Sequence, residues 1–377
     1  MTLLQPGNGY FSCGLIYGAD WKPIPMTDAE RFGFFSRAAL EFVLVSGRQP
    51  DVFHIHDWQT APLARAYWEH YRASLPSSRV VTTIHNLAYG IPLVADAVAH
   101  SQRITTVSPS YADEIASTAA VRGHLGRFSG VVNGIDTQLW DPLGDPALPV
   151  PYHAATAAAG KAAAVGALRA RLGLAARPDA CVVGIVTRLT GQKGTHLIKH
   201  AIYRCLERGC QVVLLGSAPD AAIQRDFDRT ADDLRRRWPA DAALVFKFDE
   251  PLSHLIYAAA DLVLVPSMFE PCGLSQLIGM RYGAIPLVRR TGGLADTVFD
   301  VDTDAARAAA AGVEPNGFVF EGADGPAMDW ALSRAQAMWD TRRAEFRALQ
   351  ARVMEQDWGW ARGAEQYIEL YHAAARL

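Results

Sequence analysis

The segment VVGIVTRLTGQKGTHLIKHAIYRCLERGCQVVLL, residues 182–215, decides how the fold is read. It opens on a continuous apolar run, Val182–Val186. A polar turn carrying Arg188, Gly191, Lys193 and Gly194 follows, and a helical pattern then covers Thr195–Glu207. A second continuous run, Val212–Leu215, closes the segment. Apolar runs that are continuous rather than alternating mark parallel strands covered on both faces. The segment is therefore a strand, a turn, a helix and a second strand of a parallel α/β sheet.

The alternation continues toward the C-terminus. Strands are expected at Leu244–Phe248, Leu262–Val265, Pro286–Val288 and Phe318–Phe320, and helices at Ala221–Arg237, Leu252–Ala259, Leu274–Tyr282 and Leu294–Phe299. Six strands with helical crossovers make a doubly wound domain. The chain after Gly325 is helical and ends on a helix at 363–375. Upstream, a helix runs from about Ala162 to Leu172. Residues 133–151, with four prolines and Trp140, read as a linker.

The first half carries a helix over Glu30–Val45, ending at Gly47, and four short strands: Val52–His56, Val80–Ile84, Ile104–Val107 and Val131–Val132. The expectation is two Rossmann-like domains facing across a cleft, residues 1–150 and 151–345, with helices in 346–377 crossing back toward the first. The first domain has fewer strands and shows no opening strand–loop–helix unit, so it is expected to be incomplete at its start.

Composition narrows the function. Half of the 377 residues are hydrophobic and a fifth are charged, enough for full-sized cores. Thirty-six basic against 39 acidic residues give a formal charge of −3, which provides no basic footprint for nucleic acid or an anionic membrane. Five scattered cysteines without a C-x-x-C pair argue against a disulfide framework and against a zinc cluster.

In open parallel sheets, ligands bind beyond the carboxyl ends of the strands. After Val182–Val186, Arg188 and Lys193 flank a glycine-bearing turn at a helix start. Two cations and free N–H groups suit a diphosphate, although a solvated basic turn has the same pattern. The Walker A spacing is absent. After Leu262–Val265 comes Glu270-Pro271-Cys272-Gly273-Leu274-Ser275. Its carboxylate suits sugar hydroxyls and its helix start a phosphate; Ser275 and Glu270 could equally cap a turn. Cys272 alone reads as an inert small residue. After Pro286–Val288, Thr291-Gly292-Gly293 would let backbone approach a ligand closely. Phe248, at a strand end, suits stacking on a base or a place in the core.

In the first half, His54-Ile55-His56-Asp57 and His85-Asn86 end strands, but no third ligand at metal spacing accompanies them. His196 and His200 share a helix face without the acidic partner of a metalloprotease. Asp300, Asp302 and Asp304 lack the glycine and glutamate of a calcium loop, and read as a solvated acidic turn.

Together these loops resemble the starch and glycogen synthases, glycosyltransferase family five, which have the GT-B fold. The resemblance rests on His56-Asp57-Trp58, Thr83-Ile84-His85-Asn86, Asn133-Gly134-Ile135-Asp136, Arg188-Leu189-Thr190-x-Gln192-Lys193-Gly194, Phe269-Glu270-Pro271-Cys272-Gly273-Leu274 and Arg290-Thr291-Gly292-Gly293-Leu294-Ala295-Asp296, in the family's order. Arg31-Phe32-Gly33-Phe34-Phe35 and Met354-Glu355-Gln356-Asp357-Trp358 further resemble the class III soluble enzymes of plants and green algae.

The resemblance implies retaining transfer of glucose from ADP-glucose to an α-1,4-glucan, without a metal or other cofactor, in the plastid stroma. It implies that Arg188 and Lys193 neutralise the leaving diphosphate and that Glu270 grips the donor glucose. Asp57 and His85 would line the acceptor side. Asn86, Asn133, Gln192, Cys272, Thr291, Gly292 and Gly293 would add substrate contacts. Gly273, Leu274 and Ser275 would present N–H groups to the distal phosphate, and Phe248 would stack on adenine.

Two positions depart from the family pattern: Ser275 replaces a usual Thr, and Phe248 often a Tyr. Ile278 stands where the wider GT-B group often has a second Glu, which family five also lacks. Nothing before residue 30 matches the Lys-x-Gly-Gly-Leu donor loop. That absence raises the alternative of a weak or inactive glucan-binding subunit. A donor other than ADP-glucose, such as UDP-glucose or sucrose, is a third reading.

Overall fold

The computed structural model describes Phe11 and residues 27–377. By contacts the chain divides into two units, residues 1–131 with 363–377, and residues 132–362.

In the first unit, a helix over Asp28–Val45 starts from a reciprocal cap. Thr27 N–H donates to Glu30 Oε2 at 2.8 Å, and Glu30 N–H to Thr27 Oγ1 at 3.2 Å. Four parallel strands follow: β1 (Val52–His56), β2 (Arg79–Ile84), β3 (Arg103–Thr106) and β4 (Phe128–Gly130), paired in sequence order. The fourth lies just upstream of the expected Val131–Val132. Three helices that the pattern did not show fill the crossovers, Pro62–Ala66, Ile91–Ala99 and Pro109–Ile115. Each begins with a proline in its first turn, where a missing N–H costs nothing. The last helix, Ala361–Ala375, lays Leu370 and Ala374 on Val81 of β2.

The second unit is a six-stranded parallel sheet: β5 (Val182–Val186), β6 (Gln211–Leu215), β7 (Ala242–Val245), β8 (Leu262–Val265), β9 (Ile285–Arg289) and β10 (Phe318–Phe320). Its order is 10-9-8-5-6-7. β6, β8 and β10 are buried at every position, as their continuous apolar runs require. β7 ends three residues before Phe248, shorter than expected.

Residues 133–151 are not a free linker. Trp140 stacks on His254 with ring centres 4.1 Å apart. Asp145 Oδ2 lies 2.7 Å from His254 Nδ1 and accepts from Tyr282 Oη at 2.6 Å, all three buried. The boundary between units thus falls at 131/132 rather than 150, because this segment buries its aromatic and acidic groups in the second unit. The helix Arg343–Glu355 also belongs there, through buried Phe346, Leu349 and Val353. The Asp300–Asp304 turn is likewise not solvated. Asp300 is 1% exposed and takes both Nη atoms of Arg334, and Asp304 accepts from Arg290 and Arg307. It leads into an unforeseen helix, Ala305–Ala311.

Candidate active site

The strand order of the second sheet reverses beside β5, which pairs with β6 on one side and β8 on the other. A parallel sheet opens a crevice at such a reversal, at the carboxyl ends of its strands. The loops 187–194 and 266–274 leave β5 and β8 there. Backbone contacts lock them together. Gly194 has φ +69°, and a β-carbon on it would stand 2.3 Å from the Pro266 carbonyl oxygen. Met268 N–H donates to the Gln192 carbonyl at 2.8 Å, and Gln192 Nε2 to the Phe269 carbonyl at 3.3 Å.

This register brings Lys193 Nζ to 2.5 Å from Glu270 Oε2. Ser267 Oγ donates to the same oxygen at 2.7 Å. Glu270 is only 6% exposed, and these two partners compensate its carboxylate for the lost contact with water. Val186, Thr187, Gly273, Leu274 and Ser275 line the small cleft around the pair. Ser275 Oγ donates to the Val186 carbonyl at 3.2 Å. Arg188 is exposed, and its guanidinium has no partner among the described residues.

The glycines at 292 and 293 make their close approach to protein backbone. A β-carbon at 292 would lie 2.1 Å from the Glu270 carbonyl oxygen, and one at 293 would lie 2.2 Å from that of Cys272. Gly293 N–H donates to the Glu270 carbonyl at 2.9 Å, and Thr291 is buried beside it. Cys272 is inert as a nucleophile, since burial pushes its thiol up to about 12. The Asn133 backbone N–H faces that sulfur, while Asn133 Oδ1 is buried without a hydrogen-bond partner among the described residues. Phe248 stands 89% exposed beyond the end of β7. Its ring is outside the core, so the core reading of this residue does not hold.

The first unit gathers its own polar group at the ends of β1 and β2. His54 Nε2 lies 2.6 Å from Thr83 Oγ1 and its Nδ1 lies 2.7 Å from Tyr371 Oη. His56 Nδ1 lies 3.0 Å from His85 Nε2. Burial, then the neighbouring His56 and His85, hold His54 down at about 3; burial and His85 lower His56. Asp57 has φ +52° and is the only non-glycine residue in the left-handed region among the described residues. Its Oδ1 accepts from the N–H groups of His85 at 2.6 Å and Asn86 at 3.2 Å, and burial raises its carboxyl above the ordinary range. Strain of this kind persists where the surroundings enforce it. Asn86 Oδ1 turns back to accept from Ala88 N–H. Among the described residues, no group of three or more His, Cys, Asp or Glu side chains is arranged to hold a metal ion.

Sequence reading missed two residues that shape the second-unit cleft. Ser267 stands in the Ser-x-x-Glu spacing of a helix cap, but its hydroxyl bonds the Glu270 side chain directly, outside any helix. Gln276, fully buried, holds the loop carbonyls of Cys272 and Gly273; nothing in its spacing distinguishes it from an ordinary helix residue.

Glycogen synthase 1 of Nitrosococcus oceani is 36% identical over 409 residues, which is 98% of this chain and 81% of that protein. The chain belongs to the starch and glycogen synthase family. The profile of the starch synthase catalytic domain matches residues 2–96. Soluble starch synthase 3 of Solanum tuberosum, a chloroplastic/amyloplastic protein, is 53% identical over 99% of this chain, which spans 30% of that relative's length. The catalytic domain of starch synthase IV from Arabidopsis thaliana, bound to ADP and acarbose, superposes with a TM-score of 0.90 at 39% identity, covering 99% of this chain and 81% of that one. The fold class is accordingly that of the GT-B glycosyltransferases.

Proposed function

We propose that this chain transfers glucose from ADP-glucose to the non-reducing end of an α-1,4-glucan, with retention of configuration and without a metal. The observation that carries the reading is the Lys193–Glu270–Ser267 cluster at the point where the strand order reverses. Oε2 of Glu270 is taken by Lys193 and Ser267, so Oε1 is left to accept from a sugar hydroxyl. Lys193 has three N–H donors and gives one to Glu270, which leaves two for phosphate oxygens. Arg188 adds a cation that has no partner among the described residues. As the bond from the glucose C1 to the diphosphate oxygen breaks, negative charge grows on ADP, and fixed cations beside it stabilise the transition state more than the ground state. Phe248 supplies an exposed face for adenine, and N–H groups of Gly273–Ser275 meet the distal phosphate. Asp57, His85 and Asn86 of the first unit serve the acceptor sugar. The ADP bound to the Arabidopsis relative and the plastid names of the plant relatives support an ADP-linked donor and a plastid location.

Incubation with labelled ADP-glucose and glycogen tests the reading. Label should enter the α-1,4 chains, in excess EDTA as well as without it, and much faster than from UDP-glucose. The intact cluster favours an enzyme over a glucan-binding subunit. Glycogen binding with no transfer of label would reverse that choice.

A further inference from the structure

The loop that carries Glu270 has all four of its successive carbonyls held from one side. The Gly293 N–H takes those of Glu270 and Pro271, at 2.9 and 3.2 Å. The Gln276 carboxamide takes the next two, with Nε2 3.3 Å from the Cys272 oxygen and 2.9 Å from that of Gly273. The same nitrogen lies 3.1 Å from Thr297 Oγ1, which itself donates to the Gly293 carbonyl at 2.6 Å. Gln276 and Thr297 are both completely buried. Gln276 Oε1 is buried as well and has no hydrogen-bond partner among the described residues. A buried amide with an unsatisfied oxygen is costly, and an apolar side chain of similar shape would avoid that cost. The cost of that oxygen is offset by what the amide nitrogen holds, namely the carbonyls of the loop.

Its position suggests what it does. Gly273 has φ +75°, and a β-carbon there would lie 2.6 Å from Gln276 Oε1 and 3.1 Å from Glu270 Cγ. The absent side chain makes the space in which the carboxamide sits beside the stem of the carboxylate. With its carbonyls held, the loop leaves the N–H groups of Gly273, Leu274 and Ser275 without partners among the described residues. Those donors are free for an anion, at fixed spacing from Glu270 and Lys193.

We infer that Gln276 is a positioning residue for the nucleotide-sugar: its carboxamide, braced by Thr297, sets the orientation of the 270–275 loop toward the diphosphate and the donor sugar. This deepens the proposed function and rests on it. Gln276 touches no substrate; it acts through the loop carbonyls. Preorganised donors lose affinity when their frame is free to move, and the loss falls on the ligand that the frame contacts. Donor binding should suffer and acceptor binding should not.

The test uses the full chain carrying Gln276→Met, which keeps length and volume and removes the donor. ADP is titrated by calorimetry, and KM is measured separately for ADP-glucose and for glycogen. The expected result is an ADP Kd and a donor KM about tenfold higher, with glycogen KM within about twofold of wild type. Leu332→Ala, a core change away from the loop, controls for lost stability: it should lower the melting temperature and leave the ADP Kd unchanged. If Gln276→Met does not fold, Thr297→Val removes the brace, together with its bond to the Gly293 carbonyl, while keeping Gln276, and should weaken ADP in the same direction. Wild-type protein that binds ADP while a folded Gln276→Met or Thr297→Val binds it equally well would overturn this inference and leave the proposed function standing. Equal rises in donor and glycogen KM would overturn it too. Wild-type protein that binds no ADP would overturn the proposed function, and this inference with it.

Discussion

Replacing Lys193 by alanine removes the cation 2.5 Å from Glu270 Oε2 and leaves Ser267 Oγ as that oxygen's remaining partner. Glu270 is 6% exposed, so water entering from the cleft replaces the ammonium only in part. Deleting one member of an enclosed ion pair costs ~3–5 kcal/mol; the Lys193 side chain keeps 18% exposure, which places this case at the low end, about 3 kcal/mol. In a unit of roughly 200 residues each kcal/mol moves the thermal midpoint by about 2–4 °C, so the expected loss is roughly 6–12 °C. The same substitution removes a cation aimed at the leaving diphosphate, and turnover should fall about a hundredfold or more. The two losses have different causes, and Lys193→Ala/Glu270→Gln separates them. A neutral amide does not need the ammonium, so the double variant should recover most of the melting temperature and none of the turnover. Thermal denaturation followed by circular dichroism reads the first quantity, and initial rates with labelled ADP-glucose read the second. Near-normal turnover in folded Lys193→Ala would refute the leaving-group role. A melting temperature within about 2 °C of wild type would refute the claim that Glu270 depends on the pair.

Three further outcomes are expected. Asp57→Asn keeps both tolerance of φ +52° and an acceptor for the His85 and Asn86 N–H groups, so it should melt near wild type, whereas Asp57→Ala loses both and should cost about 2–4 kcal/mol by urea denaturation. Gly292→Ala would drive a β-carbon to 2.1 Å from the Glu270 carbonyl at φ +43°, and it should raise the KM for ADP-glucose at least about tenfold in steady-state assays while the glycogen KM stays put. His54 titrates at about 3 when folded and near 6.5 when unfolded, so the unfolded chain binds the extra proton and stability falls as pH drops from 6.5 toward 3, by at most about 1.4 kcal/mol per unit. Asp57, raised by burial, contributes the opposite slope, so the check is the difference in urea midpoint between wild type and His54→Gln at pH 7 and pH 5.

The second sheet was legible because its strands are uniform. β6, β8 and β10 are buried at every residue, and a two-sided strand writes itself as an unbroken apolar run. The first unit was harder. Its helices Pro62–Ala66 and Pro109–Ile115 span five and seven residues, too short for helical periodicity to register. The four prolines in residues 133–151 signalled a linker, yet the segment is fixed by Trp140 on His254 and by Asp145 between His254 and Tyr282, partners more than a hundred residues away. No local pattern reports such a contact. The acidic turn was misread for the same reason: Asp300 looks solvated until Arg334, on a later helix, is known to cover it.

The candidate site divides along similar lines. Charged residues at strand ends were visible because topology alone places loops after β5 and β8 at the strand-order reversal. What topology does not say is which groups those loops spend on each other. Glu270-Pro271-Cys272-Gly273 and Thr291-Gly292-Gly293 read as two separate ligand loops, twenty residues apart. They follow adjacent parallel strands, β8 and β9, and the helix Ser275–Arg281 returns the chain from one strand end to the start of the next. The two loops therefore emerge side by side, and the glycines lie against the carbonyls of the acidic loop. The pair of motifs is a single rigid part. Its glycine half gives up free backbone approach to a ligand in exchange for a fixed Glu270, and its buried amide, Gln276, closes the remaining carbonyls. A carboxylate that must meet a sugar at one geometry needs that frame more than it needs any further charge, because orientation errors cost rate as heavily as a missing group does.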